Sequence, residues 1–258
     1  MKIRALLLIL FFLTIASGAS AGWIFVENSE GDRQTKYLQD NKMKFVAPDH
    51  IMIFDLDKNR IVFANPKEKN YWLGAPENFA AQARENIRNM DKMLEKQLAQ
   101  VPVAQRENFK RAIVQQIKKQ YNRQPPVLEV RSTDQSDKIA GYKVRKYEVL
   151  FNGQVRQEQW IAEDIRVNHD LNVERFGKMM RAFHAGSGRG SEDAALSSPR
   201  VTDLMKKGWP LRIVDYDEDG YPETDEVIRV EKKSLPSSTF DFIKKYRKMS
   251  MTELFGGR

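Results

Sequence analysis

The stretch WIFVENSEGDRQTKYLQDNKMKFVAPDHIMIFDLDKNRIVFANPKEKNYW, Trp23–Trp72, decides the fold. Short runs rich in Ile, Val, Phe and Tyr alternate with turn clusters at Ser29–Asp32, Asp40-Asn41, Pro48-Asp49, Asp57–Asn59 and Asn65-Pro66. Turn signals repeating about every 8–12 residues between β-forming runs predict a meandering antiparallel sheet. Within it, IMIFDLDKNRIVF places two apolar runs around an Asp-Lys-Asn turn, which reads as a hairpin.

Downstream of Gly74 the period changes. Phe79, Ala83, Ile87, Met90 and Leu94 recur at helical spacing, with Leu98 completing the stripe. Pro102 interrupts, and Phe109, Ile113, Ile117 and Tyr121 form a second stripe that stops before Pro125-Pro126. Two amphipathic helices with polar outer faces are expected, covering a sheet or plugging an open barrel. Neither stripe sustains enough heptads for a coiled coil. Strands resume at Val127, and GYKVRKYEVLFNGQVRQEQWI carries Asn152-Gly153 between two β-rich arms, a strong hairpin signal. A third helix is expected over Leu171–Phe183. HAGSGRGSEDAALSSPR then reads as a flexible loop near residues 185–199, and a short helix over Thr202–Lys207 follows. PLRIVDY, EVIRVEKKSL and STFDFI are expected as the last strands. The order of sheet, helix pair, hairpin, helix and sheet predicts one α+β domain over residues 22–258.

Upstream, MKIRALLLILFFLTIASGASAGW has Lys2 and Arg4 before an apolar run, Ala5–Ile15, followed by Ala19-Ser20-Ala21. That run falls short of the ~20 residues a membrane span needs. The pattern predicts a secretory signal peptide over residues 1–21, cut before Gly22, with an uncleaved anchor as the alternative. A periplasmic or secreted protein follows. The chain has no cysteine, which excludes disulfides, thiolate metal sites and a cysteine nucleophile. Its formal charge of +8 is spread along the chain, not gathered in a stripe. Export argues against nucleic acid as a partner, and peripheral contact with an anionic membrane face is the reading that such charge leaves open.

One constellation is chemically specific. DYDEDGYPETDE, Asp215–Glu226, fits the pattern D-x-[DN]-x-[DN]-G-x₅-E of a calcium loop. Asp215, Asp217, Asp219, the Tyr221 carbonyl and Glu226 would supply hard oxygens, and Gly220 would permit the sharp turn. The same residues also suit a metal-free turn between strands. Leu211, Ile213, Val227, Ile228 and Val230 around the loop follow a β pattern, so any Ca2+ site would sit in a β-hairpin and not between helices. Of the three histidines, His50, His169 and His184, no pair has ligand spacing. No nucleophile elbow, phosphate-binding glycine loop or metalloprotease motif occurs, so a non-enzymatic role is expected, with a hydrolase on scattered residues as the weaker reading.

Three segments, IFDLDKNRIVFANPKEKNYWLG, GYKVRKYEVLFNGQVRQEQWI and VIRVEKKSLPSSTFDF, resemble the secreted bacterial family known as domain of unknown function 4412. The order of elements is similar to that of the LolA/LolB-like periplasmic lipoprotein carriers. The resemblance implies an incomplete antiparallel β-barrel, a LolA-like half-barrel, with a helical plug or lid. It also implies an apolar cavity for a lipoprotein acyl chain or another hydrophobic ligand. A second expectation is a cell-envelope module that contacts protein or polysaccharide through its sheet and acidic loop, in a calcium-dependent way.

Overall fold

A computed structural model describes residues 21–79, 126–187, 191–217, 219–241 and 245–251, with 81, 98–99, 101–103, 105–111, 113 and 253. The Trp23–Trp72 stretch forms six successive antiparallel strands: β1 (Gly22–Ser29), β2 (Asp32–Gln39), β3 (Lys42–Val46), β4 (Ile51–Asp55), β5 (Arg60–Asn65) and β6 (Asn70–Gly74). Three long strands follow: β7 (Leu128–Ile139), β8 (Tyr142–Phe151) and β9 (Gln154–Ala162). The turns explain the registers. Glu30-Gly31, Asp40-Asn41, Ala140-Gly141 and Asn152-Gly153 each have both central φ values positive, the two-residue loop whose twist matches that of the strands. Gly153, at φ 83°, takes that backbone without the steric cost a side chain would bring.

After β9 come helices α1 (Val173–Ser187), α2 (Ser191–Leu196), α3 (Pro199–Thr202) and α4 (Leu204–Lys207). Strands β10 (Trp209–Tyr216) and β11 (Pro222–Lys233), a 3-10 turn (Ser237–Phe240) and the two-residue β12 (Arg247–Lys248) end the described chain. All twelve strands form one open sheet in the order β12-β6-β5-β4-β3-β2-β1-β11-β10-β9-β8-β7. Every pairing is antiparallel except that of β12 with β6. The return of β11 to β1 joins the first meander to the second. Register shifts leave Ile228 of β11, Arg156 of β9 and Leu211 of β10 as the extra residues of bulges, which bend strands and increase their twist.

Strand β1 is buried on both faces. Trp23 and Phe25 enter the main core with Leu38, Phe54, Ile61, Trp72, Ile165, Val167, Leu171, Phe176 and Trp209. Ile24 and Val26, on the opposite face, are covered by Leu235 with Tyr37 and Phe240. Helix α1 docks by ring contacts: Phe176 meets Phe54 edge-on at 5.9 Å, and Phe183 meets Phe79 at 4.5 Å. Its start is fixed by Asn172, whose side-chain oxygen accepts the Arg175 N–H at 3.0 Å as a helix cap. The Arg175 guanidinium then reaches Asp57 at 2.8 Å and the Leu56 carbonyl at 2.6 Å, which anchors the helix to the β4–β5 turn. Asp170 secures the preceding loop by accepting the Trp23 indole N–H at 3.0 Å.

Several expectations change here. The molecule is mostly β, an open sheet with a few short helices. The helix that packs against the core is α1, two residues later in its start than Leu171–Phe183 and longer at its end. The helix pair expected over Phe79–Tyr121 lies largely outside the described residues, as does the leader. Positions 77–79, 81, 98–99, 103, 105–111 and 113 are helical, and Phe79 is buried against Trp72. The stretch read as a loop near 185–199 holds the end of α1 and all of α2, where Ala194, Ala195 and Leu196 are good helix formers, and residues 188–190 lie outside the described residues. Of STFDFI, Ser238–Phe240 belong to a 3-10 turn after Pro236 in place of a strand, since Leu235 and Phe240 are used to cover Ile24 and Val26, and residues 242–243 lie outside the described residues. Among the described residues no helix is long and apolar enough to cross a membrane.

Candidate functional site

Strands β8 to β11 present two very different faces. Pairing puts Glu226, Arg212, Trp160 and Lys146 in one cross-strand row, and Val214, Glu158, Glu148 and Arg131 in the next. Residues two apart on a strand share a face, so both rows lie on the same side. Lys146, only 8% exposed, sits 2.7 Å from Glu158 and 3.4 Å from Glu148. Arg131 binds Glu148 at 2.6 Å, and the Tyr216 hydroxyl donates to Glu158 at 3.1 Å. Hydrogen bonds from Arg131, then from Lys146, hold the Glu148 carboxyl below its usual range. Burial opposes the charge on Lys146, yet its two carboxylates win and raise its pKa. Arg212, stacked on Trp160 at 5.2 Å, pairs with Glu226 and with Asp137. This face is a self-neutralised ionic lattice.

The opposite face carries Tyr147, Val149, Gln157, Gln159, Ile213 and Asp215. Helices α3 and α4 lie against it, with Val201 on Val149 and Leu204 on Tyr147 and Ile161. Here the chain leaves a part-open cavity of about 340 Å³. Helix α1 contributes Phe176, Met180 and His184, spaced four apart and therefore on one helix face. Met43, Met205, Leu196, Val201 and Ile213 add apolar wall, and Trp209 lines it while stacking on Phe25 at 5.0 Å. Three of these walls are methionines, whose unbranched thioethers fit irregular apolar shapes. A second depression of about 270 Å³, lined by Asp134, Lys143, Arg145, Glu163 and Asp164 among others, is charged and offers little to an apolar molecule.

The cavity has a small polar wall. Gln159 donates its amide N–H to the Gln157 carbonyl at 2.6 Å, and Gln157 donates to Asp215 Oδ1 at 2.7 Å. Both glutamines are buried, at 7% and 6% exposure. Lys36, the one ammonium on the lining, is 2.7 Å from the buried Glu27 carboxylate. Sequence reasoning placed Gln157 and Gln159 in a hairpin arm and saw no role for them. Their two-residue spacing puts both amides on the same face of β9, and only the tertiary arrangement brings α1 over that face.

The five candidate calcium ligands are dispersed by the hairpin. Asp215 pairs across the ladder with Glu223, whereas Glu226 pairs with Arg212 three positions away. An odd offset sends the two carboxylates to opposite faces of the sheet: Asp215 to the glutamines, Glu226 to Arg212. Asp217 shapes the turn, accepting the Tyr221 N–H at 2.8 Å and exchanging backbone bonds with Tyr221 and Gly220. Arg156 binds the Asp217 carbonyl from outside, and Tyr221 is largely exposed. Asp219 lies in the turn beside Gly220, whose φ is 86°. Among the described residues no group of three or more His, Asp or Glu side chains is placed to hold a metal ion.

A family model described as a domain of unknown function, DUF4412, matches residues 109–246. No curated protein sequence matches the chain. Among solved structures, PNGF-II aligns with 13% identity and a TM-score of 0.38, covering 90% of this chain and 31% of that one. MucB in complex with MucA(peri) aligns with 10% identity and a TM-score of 0.37, covering 90% and 58%. The Pseudomonas aeruginosa MucA/MucB complex aligns with 11% identity and a TM-score of 0.37, covering 91% and 60%. The chain thus spans less than two thirds of the length of each, and likeness this remote bears on no functional residue.

Proposed function

We propose, from the premise that this chain belongs to the DUF4412 family, that it is an exported, non-enzymatic binding protein for a hydrophobic ligand. The signal-like leader supports export, and the open sheet with α1 against its core supports a half-barrel built around a helical plug. The observation that carries the reading is the part-open cavity between α1 to α4 and strands β9 and β10, walled by Met43, Phe176, Met180, Leu196, Met205 and Ile213. Its volume is at the lower end of ordinary ligand pockets, which run from about 300 Å³. At roughly the volume of one liquid water per methylene, it takes an alkyl segment of about ten carbons. Burying that segment contributes about 8 kcal/mol at ~0.8 kcal/mol per methylene. Lost translational and rotational freedom costs at least about 4 kcal/mol. The remainder corresponds to a Kd on the order of 1 mM for a bare chain, so the cavity alone holds an acyl segment weakly.

The test is uptake. N-phenyl-1-naphthylamine, a neutral apolar fluorophore, brightens on entering the full chain, and decanoyl compounds displace it. Met205→Trp, which fills the space, abolishes uptake while leaving the far-ultraviolet circular dichroism of the sheet intact. Native mass spectrometry of the full chain mixed with millimolar decanoyl compounds shows the added mass. A clean apo mass together with no fluorophore uptake refutes the reading.

A further inference from the structure

The direction of the hydrogen bonds on the polar wall says more about the ligand. Asp215 can only accept, so Gln157 must present its amide nitrogen to the carboxylate, as it does at 2.7 Å. The Gln157 carbonyl then faces Gln159, which must answer with its own nitrogen, at 2.6 Å. Both amides thus run the same way along the relay, and the Gln159 carbonyl stands at its end. Gln159 is 6% exposed and lines the cavity, and among the described residues no donor reaches its carbonyl oxygen. The relay therefore ends in an acceptor on a residue that lines the cavity. Lys36, the only lysine or arginine among the described residues of the lining, is already held by Glu27 at 2.7 Å.

We infer that the cavity selects an amphipathic ligand whose apolar chain carries a neutral hydrogen-bond donor, a hydroxyl or an amide N–H, and that Gln159 reads this group. The inference rests on the cavity being a ligand site. An anionic head group is disfavoured: it cannot donate to the Gln159 carbonyl, and it would approach a relay that ends in the Asp215 carboxylate. A hydrocarbon or ether is disfavoured relative to a donor because it shields the Gln159 carbonyl from water without giving it a partner.

The experiment is displacement of N-phenyl-1-naphthylamine from the full chain at neutral pH by four ten-carbon probes: 1-decanol, decanamide, decyl methyl ether and decanoate. The alcohol and the amide displace the fluorophore at about tenfold lower concentration than the ether or the carboxylate, the ratio one hydrogen bond to a buried group gives. In Gln159→Met, which keeps length and apolar volume, the alcohol and the ether become equivalent within about twofold. Equal displacement by all four probes in the natural protein overturns selection and leaves the apolar site standing. An alcohol preference that survives Gln159→Met overturns the role of Gln159. No uptake of the fluorophore at all overturns both the site and its selectivity. The natural-protein series needs no variant, so it decides the matter even where Gln159→Met fails to fold.

Discussion

Replacing Lys146 by Met tests the ionic lattice on β8 to β11. Glu148 and Glu158 stand directly opposite one another, and Lys146 bridges them at 3.4 and 2.7 Å. Met keeps an unbranched side chain opposite Trp160 and removes the charge, together with the ammonium's 5.8 Å approach to the Trp160 ring. Stripping one partner from a buried ion pair costs about 3–5 kcal/mol. Here each carboxylate keeps one other donor, Arg131 for Glu148 and Tyr216 for Glu158, so the loss at neutral pH is about 2 kcal/mol. For a chain of this size that lowers Tm by about 4–8 °C. The pH dependence gives a sharper signature. Glu148 has a folded pKa below its unfolded value, so its stabilisation is present above the ordinary carboxylate range and is lost as pH falls through the folded pKa. Lys146, raised, contributes below its ordinary pKa and loses that contribution only at strongly alkaline pH. The gap between natural protein and variant is therefore widest near neutrality and closes as the carboxylates protonate in acid. Urea denaturation followed by circular dichroism at about pH 7 and about pH 3 measures it. A variant as stable as the parent at neutral pH, or an equal gap at both, would show that Lys146 does not neutralise the two carboxylates to any effect on stability.

Other consequences are more local. Phe25→Ala removes a fully buried ring stacked between Trp23 and Trp209, so stability falls by about 3–5 kcal/mol in urea melts. A loss below about 1 kcal/mol would mean that the core collapses around the gap. Gly208→Ala puts a methyl group 2.1 Å from the Ala162 carbonyl oxygen, so the start of β10 must shift, costing about 1–3 kcal/mol. Fluorophore uptake should weaken with it, since Trp209 and Pro210 line the cavity; unchanged uptake and stability would count against the close approach. Calcium at about 1 mM, the weak end of extracellular affinities, leaves Tm and the Gly220 amide resonance unmoved. A saturable resonance shift would show that Asp215 and Glu226 can leave their present partners and converge.

The strands were legible because local chemistry and tertiary role agree. Asp40-Asn41 and Asn152-Gly153 specify tight turns by themselves, and the runs between them alternate as a pleated sheet requires. STFDFI looked like another strand because its aromatic and β-branched residues suit one; its job, covering Ile24 and Val26, depends on a neighbour almost the whole chain away. The acidic loop shows the same limit. Spacing along the chain suggested convergence, but a hairpin turns odd and even positions to opposite sides, and that parity is set by the partner strand. Gln157 and Gln159 carry no motif at all. Two polar residues on a strand read as a solvated face until helices are found lying over them.

An unclosed sheet has two rims, and this chain treats them differently. At one, the brief parallel β12 occupies β6. At the other, β7 runs twelve residues as the last strand of the sheet, with Arg200 donating to the Leu128 carbonyl at 2.8 Å; such a rim is normally an invitation for another molecule to add its own strand. Its register breaks between Ser132 and Ser136, and Arg131, Asp134, Asp137 and Lys138 stud its length. An incoming strand would meet a kink and charges of both signs. A break in register and charges of both signs are the devices by which a free rim is blunted against polymerisation.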